Sequence, residues 1–122
     1  MCGVKEIFAI IRSGKDRETK KALEQVGCFA MSSVRVHGRG KQRGLRYSSS
    51  VNDSTVPQFV VMKYLPKKLL YLVVNDSLAR VVTQTIIRVN QTGEHGDGKI
   101  FILNMGDALR IRTGEKGESA LR

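Results

Sequence analysis

The chain has 122 residues, 41% of them apolar, and its 21 Lys and Arg outnumber 11 Asp and Glu to give a formal net charge of +10. Its length suits one domain over residues 1–122, and its apolar content argues against a disordered chain. The charge predicts an anionic partner, which leaves nucleotides, nucleic acid, dicarboxylates and acidic protein surfaces open. No apolar run is long enough to span a membrane, and Lys5 and Glu6 interrupt a signal-peptide layout, so we expect a soluble cytoplasmic protein without membrane insertion.

The first part of the chain predicts a strand, a helix and a second strand. Residues 4–12 form an apolar run rich in β-branched residues, as in a buried strand. From Lys15 to Val26 the less polar residues recur at helical spacing, and Gly27 stands where a C-terminal cap belongs. Residues 29–37 alternate imperfectly and predict the second strand.

The next part is basic and rich in glycine. No acidic residue occurs between Glu24 and Asp53, and Gly38–Gly44 is the most basic segment. Its glycine spacing misses the dinucleotide-binding fingerprint by one residue and no helical pattern follows, which argues against a Rossmann fold. Residues 45–63, which begin with a polar and serine-rich stretch, predict a long flexible loop of the kind that is usually functional.

The second half predicts a strand over residues 61–74, with Pro66 as an irregularity, and then a helix capped by Asp76 or Ser77. Lys99–Met105 predicts a further strand, followed by a short final strand at Leu109–Arg112 and a mobile tail at residues 113–122. The order β-α-β-loop-β-α-β is the α+β ferredoxin-like split βαβ sandwich, with both helices on one face of an antiparallel sheet. Because the strands carry apolar residues on both faces, we expect the second face to pack against other subunits.

The stretch Thr92–Phe101 predicts an anion cradle. Its glycines permit positive φ, its backbone N–H groups can converge on one point, and Lys99 adds a full charge. The spacing is close to that of a P-loop, but Ile100 stands where a magnesium-binding Ser or Thr is required, and the helix precedes the turn instead of following it. A simple glycine turn would explain this stretch equally well on its own.

Three basic segments together favour a phosphate site: Gly38–Gly44, Gly96–Lys99 and the pair Arg110 and Arg112. In the predicted fold they do not form one cluster within a chain, but loops at strand ends can meet across a subunit boundary. The two arginines, two residues apart on a predicted strand, would share a face and suit bidentate phosphate binding.

No catalytic set is visible, so we do not expect an enzyme. His37 and His95 flank glycines and predict turn or surface roles, and Cys28 predicts a small buried residue. The long loop offers a flexible contact surface or a modification site, or is plain loop, at Tyr47, Ser48, Ser49 and Ser50.

Four segments carry a family resemblance: Thr92-x-x-x-Gly96-Asp97-Gly98-Lys99-Ile100-Phe101-Ile102, Arg110–Gly114, Gly38-x-Gly40-x-Gln42-x-Gly44 and Leu65-Pro66-Lys67. With them the chain resembles the PII family of trimeric nitrogen-signalling proteins over nearly its whole length. The resemblance implies a trimer with three clefts between subunits, each binding ATP or ADP, with 2-oxoglutarate bound beside ATP and magnesium. Leu69 and Tyr71 depart from the pattern, because better-known members carry a lysine and a glutamate there.

The resemblance also implies roles for single residues. The ATP-binding residues would be Ser32, Gly40, Lys41, Gly96, Asp97, Gly98, Lys99, Arg110 and Arg112. Gln42 would ligate magnesium, and 2-oxoglutarate would be held by Arg12, Gln42, Arg43 and Lys67. The long loop would contact the target protein, ordered or released by what occupies the cleft.

Gly38–Gly44, Asn90–Gly93 and Gly114–Gly117 look most like the nitrogenase-associated subgroup of the family. Membership would imply a chain that works with a PII paralogue and regulates nitrogenase by protein–protein contact. The closest rival is a general PII regulator of glutamine synthetase, ammonium transport or related targets.

Two other classes share the predicted fold. An RNA-binding module has the same element order and suits the basic charge, but the chain lacks the aromatic-rich strand motif of that class, which makes a nucleic-acid partner the weaker hypothesis. A trimeric metal-tolerance protein would need a set of Cys, His or acidic ligands that the sequence does not show.

Overall fold

The structure is a computed structural model that describes residues 3–38, 46–48, 59–61 and 64–121. Short 3-10 helices occur at Ser13–Lys15 and Gly117–Leu121, and the remaining elements are β1 (Val4–Arg12), α1 (Asp16–Gln25), β2 (Ser32–Gly38), β3 (Arg46–Ser48), β4 (Phe59–Val61), β5 (Leu65–Asn75), α2 (Asp76–Asn90) and β6 (Lys99–Met105). The predicted first strand, both helices and the strand over Lys99–Met105 are confirmed.

Four strands form an antiparallel sheet in the order β2-β5-β1-β6. The central pair runs from Val4 opposite Asn75 to Arg12 opposite Lys67, so the two ends of the sheet are defined by these pairs. Two β-α-β units that share one sheet and place both helices on one face form the ferredoxin-like α+β fold. The predicted fold class is therefore confirmed.

The core lies between this sheet and the two helices. Alternate residues of the central strands face the helices and are buried: Ile7, Ala9 and Ile11 of β1 and Leu70, Leu72 and Val74 of β5. The helices cover them with Leu23, Ala79, Val82 and Ile86. Thr19 and Asn90 add a buried polar contact between the helices, because the Asn90 Nδ2 donates to the Thr19 Oγ1 at 3.0 Å.

The start of α2 differs from the prediction. Asn75, the last residue of β5, caps the helix, because its Oδ1 accepts a hydrogen bond from the Leu78 N–H at 2.8 Å. Asp76 is already helical, and its carboxylate instead accepts from the Gly3 N–H at 3.1 Å. The cap therefore lies one residue before the predicted candidates Asp76 and Ser77.

The predicted strand over residues 61–74 is two separate strands. β4 ends at Val61 and pairs with β3 as a two-stranded sheet, whereas β5 begins at Leu65 and joins the main sheet. β3 and β4 lie in the segment predicted to be a loop, and the sequence pattern did not indicate them. The second strand also begins at Ser32, three residues later than predicted.

The predicted final strand over Leu109–Arg112 is wrong. The chain makes one isolated bridge there, between Leu109 and Lys116, and residues 111–113 form a turn. Gly114 and Gly117 take positive φ of 75° and 65°, which folds the segment back on itself instead of extending it. Residues 113–121 follow this turn into the second 3-10 helix, and their predicted mobility stays a prediction.

The sheet face away from the helices carries exposed apolar side chains. The rings of Phe8 and Tyr71 lie 5.0 Å apart there, and Val34, Phe101 and Leu103 are between 44% and 55% exposed. Packing of this open face against other subunits stays a prediction. None of the helices in the described part of the chain has the length and apolar character needed to cross a membrane.

Candidate functional site

The turn between α2 and β6 is organised by the Asp97 carboxylate. Its Oδ2 accepts from the backbone N–H groups of Thr92 at 2.7 Å and Gly93 at 3.0 Å. Its Oδ1 accepts from the Thr92 hydroxyl and from Arg12 Nη1, the latter at 2.6 Å. One side chain thus closes residues 92–97 into a ring and ties the ring to the end of β1. We call residues 92–98 the glycine loop.

These hydrogen bonds hold the pKa of Asp97 well below its ordinary value. The Thr92 hydroxyl and backbone N–H contribute most, and Arg12 and the Gly93 N–H lower the pKa further, against an opposing effect of burial. Because the carboxylate stays ionised, it repels anions while its donors hold the loop. The Asp97 side chain therefore orders the loop, and its contact with ATP stays a prediction.

Three glycines give the loop its shape, since Gly93, Gly96 and Gly98 have φ of 87°, 102° and 116°. Gly98 is also required by packing, because a Cβ there would stand 1.9 Å from the Ile10 carbonyl oxygen. The loop can lie this close to β1 only if residue 98 has no side chain. The predicted glycine turn with positive φ is confirmed.

Two cations hold the loop from the sheet. Arg12 donates its Nη2 to the His95 carbonyl at 3.1 Å, and Lys67 donates its Nζ to the Gly96 carbonyl at 2.7 Å. The two residues are opposite each other in the β1–β5 register, and Lys67 is only 7% exposed. Burial lowers the pKa of Lys67, Arg12 lowers it further, and Asp97 acts in the opposite direction.

Lys99 completes this end of the sheet. It is the first residue of β6, lies opposite Ile10 and is exposed. The cations Lys99, Arg12 and Lys67 therefore come from the ends of three adjacent strands, β6, β1 and β5.

An apolar groove of about 460 Å³ lies beside the loop between α2 and β6, and its lining includes Ile86, Ile87, Gly98 and Ile102. The sequence pattern did not predict this groove.

The C-terminal arginines lie at the other end of the sheet. β6 has seven residues and ends with Met105 opposite Val4, so its ends are about 20 Å apart at ~3.4 Å per residue. The Arg110 guanidinium contacts the carbonyls of Ser119 and Ala120, in a segment that binds Asn75 at that far end. One chain therefore does not bring Arg110 to Lys99, as expected from the fold. Arg110 and Arg112 do not lie on a strand, which contradicts the prediction.

The remaining predicted residues divide into two groups. Ser32 is exposed at the start of the edge strand β2, and Tyr47 and Ser48 belong to β3. The others lie outside the described residues: Gly40, Lys41, Gln42, Arg43, Ser49 and Ser50. Within the described ranges, no three His, Cys, Asp or Glu side chains group together as a metal site. Cys28 is buried, as predicted, and burial raises the pKa of its thiol.

Comparison with known proteins identifies this arrangement. The model of the family described as "Nitrogen regulatory protein P-II" matches residues 4–115. The chain belongs to the P-II family. The match covers β1 through the C-terminal turn and includes the glycine loop and all three cations beside it. Family membership makes the chain a nitrogen-regulatory signalling protein.

Relatives of the chain share nearly its full length. It is 46% identical to "Nitrogen fixation nifHD1 region GlnB-like protein 2" of Methanosarcina barkeri, over 98% of this chain and 100% of that protein. It is 36% identical to "Nitrogen regulatory protein P-II" of Klebsiella oxytoca, over 97% and 100% of the two chains. A solved structure, Arabidopsis thaliana PII bound to citrate, aligns with a TM-score of 0.74 and 30% identity over 97% of this chain and 92% of that one. These relatives support membership of the nitrogenase-associated subgroup of P-II proteins, because the names of the archaeal relatives refer to nitrogen fixation and the nifHD region.

The network around Asp97 was not predicted. Its members are separated by up to 85 positions in sequence, so no local pattern joins Arg12 to Asp97. The local part of the network is the pair Thr92 and Asp97, which lie five positions apart within a glycine-containing turn.

Proposed function

We propose that the chain is a non-enzymatic sensor that binds ATP or ADP, magnesium and 2-oxoglutarate, and that it regulates nitrogenase by direct contact. The observation that carries the proposal is the glycine loop, which Asp97 holds in shape beside three cations. A loop that is ordered before binding loses little conformational freedom when an anion arrives. The proposal therefore places the polyphosphate at this loop.

The residues present fit a nucleotide. Lys99 is exposed and supplies a charge, and Gly96 and Gly98 allow close approach of a phosphate to the backbone. Arg110 and Arg112 would come from another subunit, since they lie at the opposite end of the sheet within one chain. The proposed adenine contact is Ser32, and Lys41 and Gly40 would add further phosphate contacts. When bound, the magnesium ion would screen phosphate charge, and its proposed protein ligand is Gln42.

The residues also fit a dicarboxylate. Lys67 donates its Nζ to the Gly96 carbonyl, and a carboxylate at this position would offer the ammonium an anionic acceptor. Arg12 stands beside it, and Arg43 and Gln42 are the further proposed ligands. Citrate bound to Arabidopsis thaliana PII supports a carboxylate-binding role for this fold. Because 2-oxoglutarate would bind beside ATP and magnesium, its binding would be coupled to that of the nucleotide.

The proposed assembly is a trimer, in which clefts between subunits hold the nucleotide. The apolar open face supports it, since aromatic and aliphatic side chains that are about half exposed in one chain gain stability when a neighbour covers them. A PII paralogue is a proposed further partner, because the archaeal relatives carry the number 2 in their names.

The proposed target is nitrogenase, contacted through the long loop at residues 45–63. Support comes from the nitrogen-fixation names of the relatives. The alternative is a general P-II regulator of glutamine synthetase, ammonium transport or a related target, which the Klebsiella oxytoca relative favours. Inhibition assays with purified nitrogenase and with glutamine synthetase separate the two. The proposed site of action is the cytoplasm.

Calorimetric titration tests the ligand assignment. We expect 2-oxoglutarate with magnesium to bind the purified chain when ATP is present and not when it is absent. Equal binding in both conditions would refute the coupling. No binding in either condition by a folded protein would refute the 2-oxoglutarate assignment, and a salt-dependent RNA-binding assay would then test the remaining class.

A further inference from the structure

Arg110 is engaged by the segment that follows it. Its Nη1 donates to the Glu115 Oε1 at 2.8 Å, and its Nη2 lies 3.3 Å and 3.5 Å from the carbonyls of Ser119 and Ala120. The backbone repeats the connection, because the Arg110 N–H donates to the Glu115 carbonyl at 2.9 Å. One guanidinium therefore links the turn to the end of the chain.

Glu115 is itself held for this contact. The Thr113 hydroxyl donates to the same Oε1 at 2.7 Å, and the Glu115 N–H donates to the Thr113 hydroxyl at 3.3 Å. Gly114, with φ of 75°, makes the turn that places the glutamate opposite the arginine. The carboxylate is thus positioned by its own turn and does not depend on a long flexible reach.

The rest of the segment is anchored to the body of the fold. The Glu118 Oε1 accepts from the Asn75 Nδ2 at 2.7 Å, and Asn75 caps α2 with its other side-chain atom. Leu121 lines a pocket of about 200 Å³ together with Cys28, Phe29 and Leu78. We call residues 115–121 the C-terminal latch, because they connect Arg110 to the start of α2.

We propose that Glu115 acts as an internal anion for Arg110, and that a phosphate-bearing ligand which takes Arg110 releases the C-terminal latch. This inference rests on the proposed nucleotide site. A carboxylate and a phosphate make the same charge-assisted contacts with a guanidinium, so they compete for its N–H groups. Each molecule of ligand must then displace the latch, and each closed latch opposes the ligand.

Release would change a surface far from the glycine loop. Without its contacts to Arg110, the C-terminal latch would still be held by the Glu118–Asn75 hydrogen bond and by the packing of Leu121. Phe29 is already 74% exposed beside the pocket. Nucleotide binding would therefore be reported at residues 28–30 and 115–121 as well as at the long loop.

Hydrogen exchange with Glu115→Gln, and with Glu24→Gln as the matched control, tests the latch. Glu24 is an exposed carboxylate on α1, so the control makes the same chemical change away from Arg110. Without nucleotide, Glu115→Gln should raise amide exchange over residues 117–121 by about two- to five-fold, as expected for an ion pair near the surface. Its affinity for magnesium-ATP should rise by a similar factor, and Glu24→Gln should change neither quantity.

The outcomes separate the latch from the nucleotide site. If the unmodified chain binds magnesium-ATP but its exchange over residues 117–121 stays constant, the latch is wrong and the site stands. The latch is equally wrong if Glu115→Gln leaves the ligand-free exchange unchanged. If none of the three proteins binds magnesium-ATP, the proposed function fails and the coupling fails with it.

Discussion

Gly98→Ala tests whether the close contact between the glycine loop and β1 requires a glycine at residue 98. Gly93→Ala provides a matched control. Both glycines have positive φ, 116° and 87°, and each alanine incurs a backbone cost of about 1–2 kcal/mol. Only Gly98 also faces a steric conflict, since its Cβ would stand 1.9 Å from the Ile10 carbonyl oxygen, whereas Gly93 has no atom within 4 Å. The difference between the two variants therefore isolates the contact with β1.

The expected loss of stability follows from the backbone shift that Gly98→Ala would require. Ordinary van der Waals contact begins near 3.4 Å, so the start of β6 or the end of β1 must shift by about 1.5 Å. Both groups are backbone, and a shift of that size breaks at least one hydrogen bond of the β1–β6 ladder, at about 1 kcal/mol net. We expect Gly93→Ala to lower the free energy of unfolding by about 1–2 kcal/mol and Gly98→Ala by about 2–3 kcal/mol.

Urea denaturation at one fixed protein concentration measures this difference, and the concentration is held constant because subunit association would contribute to stability. Titration with magnesium-ATP gives the second readout, where Gly98→Ala should lose more affinity than Gly93→Ala. Equal loss of stability in both variants would refute the argument, because it would mean that the conformation alone accounts for the glycine.

Three further perturbations address the site. Lys99→Ala and Arg110→Ala should each weaken magnesium-ATP binding by roughly 10- to 150-fold, because each removes a charge-assisted phosphate contact of about 1.5–3 kcal/mol; unchanged calorimetric titrations for both would remove the site. Asp97→Asn should raise amide exchange in the glycine loop at neutral pH, and the gap to the unmodified chain should begin to narrow as pH falls below 3.8, since the stabilisation from a depressed carboxylate pKa is complete above the ordinary value and is lost progressively as pH falls towards the depressed one. A gap that is constant from pH 7 to pH 3 would contradict that ionic role. Deleting residues 47–58 should leave magnesium-ATP binding intact and abolish inhibition of the target, and loss of nucleotide binding would place the loop in the site instead.

Much of the fold follows from local patterns. The two helices were predictable because their apolar residues recur with the helical period, and β1 was predictable because it is an apolar run rich in β-branched residues. The ferredoxin-like order then followed from the sequence of elements. The glycine turn was predictable too, since glycines at 93, 96 and 98 permit the positive φ that the turn adopts.

What the patterns missed depends on contacts between distant residues. Arg12 and Lys67 support the glycine loop from other strands, and only the β1–β5 register reveals that they are neighbours. The alternation at Leu109–Arg112 predicted a strand, but in the described part of the chain it forms a single bridge at Leu109, and the glycines after it fold the chain back. Alternation indicates a strand only where a partner strand is available.

The charge distribution explains why one chain holds only part of the proposed site. Lys99, Arg12 and Lys67 lie at one end of the sheet, and Arg110 lies about 20 Å away at the other, at ~3.4 Å per residue of β6. Gathering all of them in one chain would place like charges together without a ligand to compensate them, which is unfavourable. If the site is shared between copies of the chain, these charges would come together only where a polyphosphate can compensate their repulsion. Nucleotide binding and association of subunits would then be linked, so that each strengthens the other by mass action, and the C-terminal latch would hold Arg110 neutralised by Glu115 until both conditions are met.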